Sequence, residues 1–253
     1  MMPYPGRRFR IRTLSCVFSD SPKLYSAKQP RSAKMSEFSA TWPRKWVAIT
    51  EPEIDTSPYA AVCEIGVDGN VVGTGWLAAS RVVVTAAHVL GGASACEVKF
   101  PSWKSSRRVA IPRTEIGGSV LSPGSPSDIA CIALPESIST ITPLSIAVPR
   151  TVVSVVALGY FNGTLLRSEG SGEMFGDEFV AHNADTHPDG GQSGGPLLFE
   201  GGVVAIHLGS SSISRKFVAS HYRKSFDNYM NSGVLIGESI KRFIQEIMEE
   251  SDE

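Results

Sequence analysis

The chain has 253 residues, 42% hydrophobic and 19% charged, with 24 glycines and 16 prolines, a composition that suits one β-rich domain or two small lobes sharing a site. No run approaches about 18 uninterrupted apolar residues, so no membrane-spanning helix is expected. The formal net charge of −1 hides an asymmetry: residues 1–44 carry nine Lys/Arg against Asp20 and Glu37, and the acidic remainder is a poor partner for nucleic-acid phosphates.

In chain order, residues 1–34 are basic, contain Ser and Pro, and are almost free of acid. They lack the apolar stretch of a secretory signal. They read either as an organellar transit peptide or as an extension upstream of Met35. The expected organisation is a leader over 1–44 and an ordered domain over 45–253, in an intracellular or organellar protein.

From Trp46 onward, short β-rich runs alternate with Gly, Pro, Ser and Asn: "WVAIT", "YAAVCEIGV", "NVVGTGWLAA", "RVVVTAAHV", "CEVKF", "RVAIP", "DIACIAL", "VVSVVALGY", "EFVAHN", "PLLFE" and "VVAIHLG". This spacing predicts an all-β architecture, a sandwich or a pair of antiparallel barrels. One helix closes the chain over 238–250, where Ile240, Phe243, Ile244, Ile247 and Met248 form a single apolar stripe. Cys16, Cys63, Cys96 and Cys131 include no CxxC pair and no metal-ligand spacing. Cys63 and Cys131 sit in apolar strand-like runs, where a thiol is a small buried hydrophobe.

Three local patterns carry chemistry. In "VVVTAAHVL", His88 follows an apolar run and projects at a strand end. In "SPSDIACIAL", Asp128 heads an apolar strand. In "DGGQSGGPLL", Ser193 lies between glycine pairs. Taken alone, the histidine reads as structural and the aspartate as a turn residue. The glycine stretch could be a linker, but Pro and two leucines follow it directly. It could cradle phosphate, but the required Lys is missing. Taken together, the three supply a nucleophile, a base and a carboxylate to orient that base. The backbone N–H groups of Gly191 and Ser193 can serve an oxyanion, since glycines permit the backbone angles that turn both inward.

The blocks "TAAHV", "DIAxIAL" and "GGQSGGPL" resemble, in order, the catalytic blocks of trypsin-like (chymotrypsin-fold) serine peptidases over roughly residues 46–248. The resemblance implies two antiparallel six-stranded β-barrels, roughly 45–140 and 150–235, with His88 and Asp128 from the first and Ser193 from the second. It implies a serine endopeptidase acting through an acyl-enzyme on peptide or protein substrates. Such chemistry needs no metal or organic cofactor.

The departures from the pattern are Val89 and Gln192, where digestive members carry Cys and Asp. A neutral amide cannot pair with a freed N-terminus, so activation by zymogen cleavage is not expected. The style is closer to HtrA-type proteases, glutamyl endopeptidases and picornaviral processing proteases. His207, in "VVAIHLGSS", is similar in position to the pocket histidine that accepts Glu or Gln at P1 in the latter two. The other reading of His207 is a core histidine. Thr186 and His187 are further candidates for the pocket, and the backbone of Leu208 and Gly209 for pairing with substrate. His182 and His221 read as surface or loop residues. The alternative to an enzyme is a catalytically silent protein binding peptides through the same cleft, or one whose cleft the 209–233 segment blocks.

Overall fold

Strand-forming runs rich in Val, Ile and Leu build two sheets in the computed structural model, which describes residues 46–110, 128–148, 151–187, 190–209, 216, 229 and 231–251. The expected leader, Cys16, Asp189, His221 and most of the 209–233 segment lie outside the described residues. The strands are β1 (Trp46–Ala48), β2 (Val62–Val67), β3 (Asn70–Ala79), β4 (Val82–Thr85), β5 (Ala95–Lys99), β6 (Arg107–Ala110), β7 (Ala130–Ala133), β8 (Ser154–Phe161), β9 (Thr164–Phe175), β10 (Phe179–His182), β11 (Pro196–Phe199), β12 (Gly202–Gly209) and β13 (Asn231–Leu235).

The first sheet is six-stranded, in the order β6-β5-β2-β3-β4-β7. The second runs β1-β9-β10-β13-β12-β11-β8, and an added β8–β9 pairing closes β8 to β13 into a ring. These are the two barrel-like sheets of a chymotrypsin-like fold. β1 departs from the sequence expectation, which grouped it with the first lobe. Trp46, Val47 and Ala48 pair with Ser168, Arg167 and Leu166 of β9, so the chain enters along the second sheet before building the first. Three pairs in left-handed backbone, Asp68–Gly69, Asn162–Gly163 and Glu200–Gly201, make the β2–β3, β8–β9 and β11–β12 hairpins. Positive φ at both central residues matches the twist of the flanking strands.

β4 shows why the first sheet reads so clearly in sequence. Val82, Val83 and Val84 are all fully buried, because β4 pairs with β3 and β7 and a helix also packs on it. That helix, α2 (Glu238–Ser251), follows the second sheet in the chain yet packs on β4 and β7 of the first. Ile244 is buried and Ile240 partly so, as the apolar stripe requires. A buried Ile contributes roughly 1.5–3 kcal/mol, enough to dock a helix end. β2 and β3 pack against β8, and one apolar cluster containing Trp76, Leu158, Tyr160 and Leu165 joins the two sheets. Cys63, Cys96 and Cys131 are free and buried; burial pushes the Cys131 thiol up to about 12, so it stays protonated.

Candidate active site

β4 ends at Thr85, and the chain turns at once into a one-turn helix, α1 (Ala87–Leu90), that carries His88. The sequence placed His88 at a strand end; the structure puts it on this turn, closed by Gly91 in left-handed backbone. Asp128 lies just ahead of β7, the strand that pairs with β4, so Val84↔Cys131 and Thr85↔Ala130 bring the two residues side by side. Asp128 Oδ2 is 2.8 Å from His88 Nδ1, and Oδ1 accepts the His88 backbone N–H at 2.9 Å. The Asp128 side chain is fully buried, whereas His88 keeps 24% of its side-chain surface. A buried carboxylate on Nδ1 fixes the tautomer with its proton there, leaving Nε2 as the basic, accessible nitrogen.

Ser193 sits on the turn between Gln192 and β11. Gly194 has φ +87, and a Cβ there would fall 2.2 Å from both Thr74 O and Thr85 Oγ1 and 2.9 Å from Ala86 N. Only glycine allows this turn to approach the end of β4 so closely. Gly73 links the two halves. A Cβ on it would lie 2.5 Å from Val89 Cγ1 and 3.0 Å from Ser193 O, so the His88 helix and the Ser193 turn both rest on the same point of β3. The turn is held by Gly194 N–H donating to His207 O and His207 N–H donating to Gly195 O, each at 2.8 Å. Among the described residues, the N–H groups of Gly191 and Ser193 have no hydrogen-bond acceptor. Two free N–H donors beside a serine can stabilise negative charge on an attacked carbonyl oxygen.

His207 and His182 form a pair that the sequence did not foresee. His207 Nδ1 lies 3.1 Å from His182 Nε2, and the rings are 2% and 0% exposed. His182, expected at the surface or in a loop, is instead in β10, between β9 and β13. Burial, and then the charge of His88, pushes His207 down to about 3. Burial and the neighbouring His207 hold His182 well below its ordinary value. Both rings are therefore neutral, and the contact requires one nitrogen to donate and the other to accept. Leu208 is buried beside His207, and Gly209 pairs with Ser232 across a bulge.

The other two pocket candidates are occupied locally. Thr186 Oγ1 donates to Asn231 Oδ1 at 3.2 Å. The His187 ring stacks on Phe161, 3.3 Å between centroids, with Trp46 at 6.1 Å. The His187 backbone N–H donates to Gln192 Oε1 at 2.5 Å. Gln192 is 3% exposed, and its side chain lies over Gly159, where a Cβ would fall 2.7 Å from Gln192 Cβ. Sequence reasoning passed over one residue, Thr74. It is fully buried and bonded on every polar atom, to the Ser193 turn and to strands β4 and β8. The available signal was a threonine between two glycines in an otherwise apolar strand, "VVGTGWL".

A model of the trypsin-like peptidase domain matches residues 73–206 of the chain. No curated protein matches the chain. Among solved structures, a Glu endopeptidase is 18% identical, with a TM-score of 0.62, covering 81% of this chain and 96% of its own. A human pathogenic astrovirus serine protease is 21% identical, with a TM-score of 0.51, covering 71% of this chain and 91% of its own. Mouse neuropsin, a serine protease expressed in the limbic system of the brain, is 17% identical, with a TM-score of 0.56, covering 75% and 94%. At these identities the likeness is one of fold.

Proposed function

Because the chain belongs to the trypsin-like peptidase family, we propose that His88, Asp128 and Ser193 are its catalytic triad and that it cleaves after Glu or Gln. The observation that carries the triad is the two-atom grip of buried Asp128 on His88. In this reading Ser193 Oγ attacks the scissile carbonyl while His88 Nε2 takes its proton. The new oxyanion is held by the N–H groups of Gly191 and Ser193. The imidazolium then gives the proton to the leaving amine, and the acyl group stays on Ser193. Water, deprotonated by the same nitrogen, attacks the ester and releases the acid, returning the proton to Ser193.

The preference for Glu or Gln rests on His207. Its Nδ1 is engaged by His182, so Nε2 is the ring atom left for a substrate oxygen. A neutral imidazole N–H can donate to an amide oxygen or, more strongly, to a carboxylate oxygen, and a site built around it rejects residues that leave it unpaired. The backbone of Leu208 and Gly209 would pair with the substrate strand, with Thr186 and His187 bordering the pocket. A Glu endopeptidase is among the structural neighbours, in keeping with this preference.

The test is to incubate residues 35–253, and the Ser193→Ala variant, with a diverse peptide library and to read cleavage sites by mass spectrometry. Cleavage that vanishes with Ser193 and clusters after Glu or Gln supports both parts. Cleavage after small aliphatic residues keeps the triad and removes the His207 pocket. Turnover that survives Ser193→Ala removes the triad.

A further inference from the structure

We propose that Thr74 is a positioning residue that locks the oxyanion loop to the strand leading to His88, a proposal that rests on the reading of Gly191 and Ser193 as oxyanion donors. Thr74 lies on β3 opposite Glu64, with Gly73 and Gly75 on either side, and is fully buried. Its backbone N–H donates to Ser193 O at 2.8 Å. Its hydroxyl donates to Gly191 O at 2.8 Å and accepts the Tyr160 N–H at 2.8 Å. Its carbonyl accepts the Thr85 hydroxyl at 2.7 Å. One residue of the first sheet thus holds the carbonyls of both proposed oxyanion donors, the β8 strand of the second sheet, and the end of β4 three residues before His88.

The physical need for such a clamp lies in the loop itself. Gly190 and Gly191 have φ of +88 and +89, a region where a glycine turns freely and has no side chain to restrain it. A peptide unit is planar, so holding a carbonyl also sets the direction of the N–H across the same bond. Bonding Gly191 O therefore fixes the peptide unit whose N–H is that of Gln192, the unit lying between the two that carry the Gly191 and Ser193 donors. Gln192 O is held separately by Gly195 N–H at 3.1 Å, which sets the Ser193 N–H. Preorganised donors act because they need not reorganise when charge develops. A clamp from the strand that also supports the His88 helix keeps donors, nucleophile and base in one frame.

The hydroxyl carries the proposal, so the test separates it from the shape of the side chain. Thr74→Val keeps the shape, removes the hydroxyl, and leaves Gly191 O and the Tyr160 N–H without that partner. Thr74→Ser keeps the hydroxyl and removes only the methyl. Both are made in the full chain and assayed on a peptide cleaved by the wild type, beside Ser193→Ala. The valine variant should lose about 10- to 100-fold in kcat with KM within about threefold, and the serine variant should stay within about threefold of wild type. Wild-type kcat in the valine variant, or equal losses in both, overturns the proposal. Full turnover in Ser193→Ala instead overturns the triad on which it rests. A measurement on the wild type covers a valine variant that does not fold: the Tyr160 amide should exchange slowly with deuterium, and exchange at the rate of an open loop overturns the clamp.

Discussion

Asp128 holds His88 at two atoms, taking the backbone N–H on one oxygen and facing Nδ1 with the other, at 2.9 and 2.8 Å. A carboxylate that contacted only the ring would set its tautomer. One that also holds the backbone sets where the ring stands. Replacing Asp128 by Asn keeps the size but lets the amide N–H group face Nδ1, which favours the wrong tautomer. Asp128→Asn should therefore fold normally and lower kcat by about 10⁴-fold, as the same exchange does in serine-protease triads. Steady-state kinetics on a peptide substrate check this; an undiminished kcat would pass the role to another carboxylate, Asp189 first.

Gln192 takes the place where digestive relatives carry an aspartate, and its buried amide oxygen accepts the His187 N–H. The loop is thus tied to itself through this amide. Gln192→Met removes that acceptor, at a cost of about 1–3 kcal/mol, and should lower both the thermal midpoint and kcat. Gln192→Glu keeps an acceptor and should be milder in both. A chain with its N-terminus acetylated should cleave as fast as one without; a marked loss would restore a role for the terminus.

His207 is the test of selectivity. His207→Val removes the ring nitrogen proposed to meet a substrate oxygen and should flatten the cleavage profile at P1, with Glu and Gln losing at least about 10-fold relative to Leu. An unchanged profile from the same peptide library would make the His182–His207 pair purely a part of the core.

The pair also makes stability depend on pH in a definite direction. His207 is pushed down to about 3 and His182 well below its ordinary value of 6.5, both chiefly by burial. In the unfolded chain both rings take up protons near pH 6.5. The unfolded state therefore binds more protons between about pH 3 and 6.5, so their contribution is complete above 6.5 and falls as the pH drops through that window. Each ring adds a slope of up to about 1.4 kcal/mol per pH unit. Urea unfolding at pH 7 and pH 5 should show the loss, and His182→Phe should reduce it; equal stability at both values would mean the rings are charged or exposed.

The motifs read well for a physical reason. "VVVTAAHVL", "DIACIAL" and "GGQSGGPLL" are dictated locally, by strands buried on both faces and by a turn that tolerates only glycine at Gly194. Other elements gave no such signal. β9 was passed over because "SEGSGEMF" has neither alternation nor β-branched residues; it is a strand because β8, β1 and β10 all pair with it. His182 reads as a surface or loop residue in the sequence, and nothing local in "EFVAHN" shows that the rings of β10 and β12 meet.

The sequence by itself determined the family, most of the barrel-forming strands, the closing helix and the three residues proposed as the triad, because residue type and local backbone preference are written one position at a time. The tertiary structure alone decided which atoms meet: Asp128 on two atoms of His88, Thr74 on the carbonyls of Gly191 and Ser193, His182 on His207, and β1 on the second sheet. Those pairs join residues 25 to 122 positions apart, and only the closure and packing of the two sheets sets such distances.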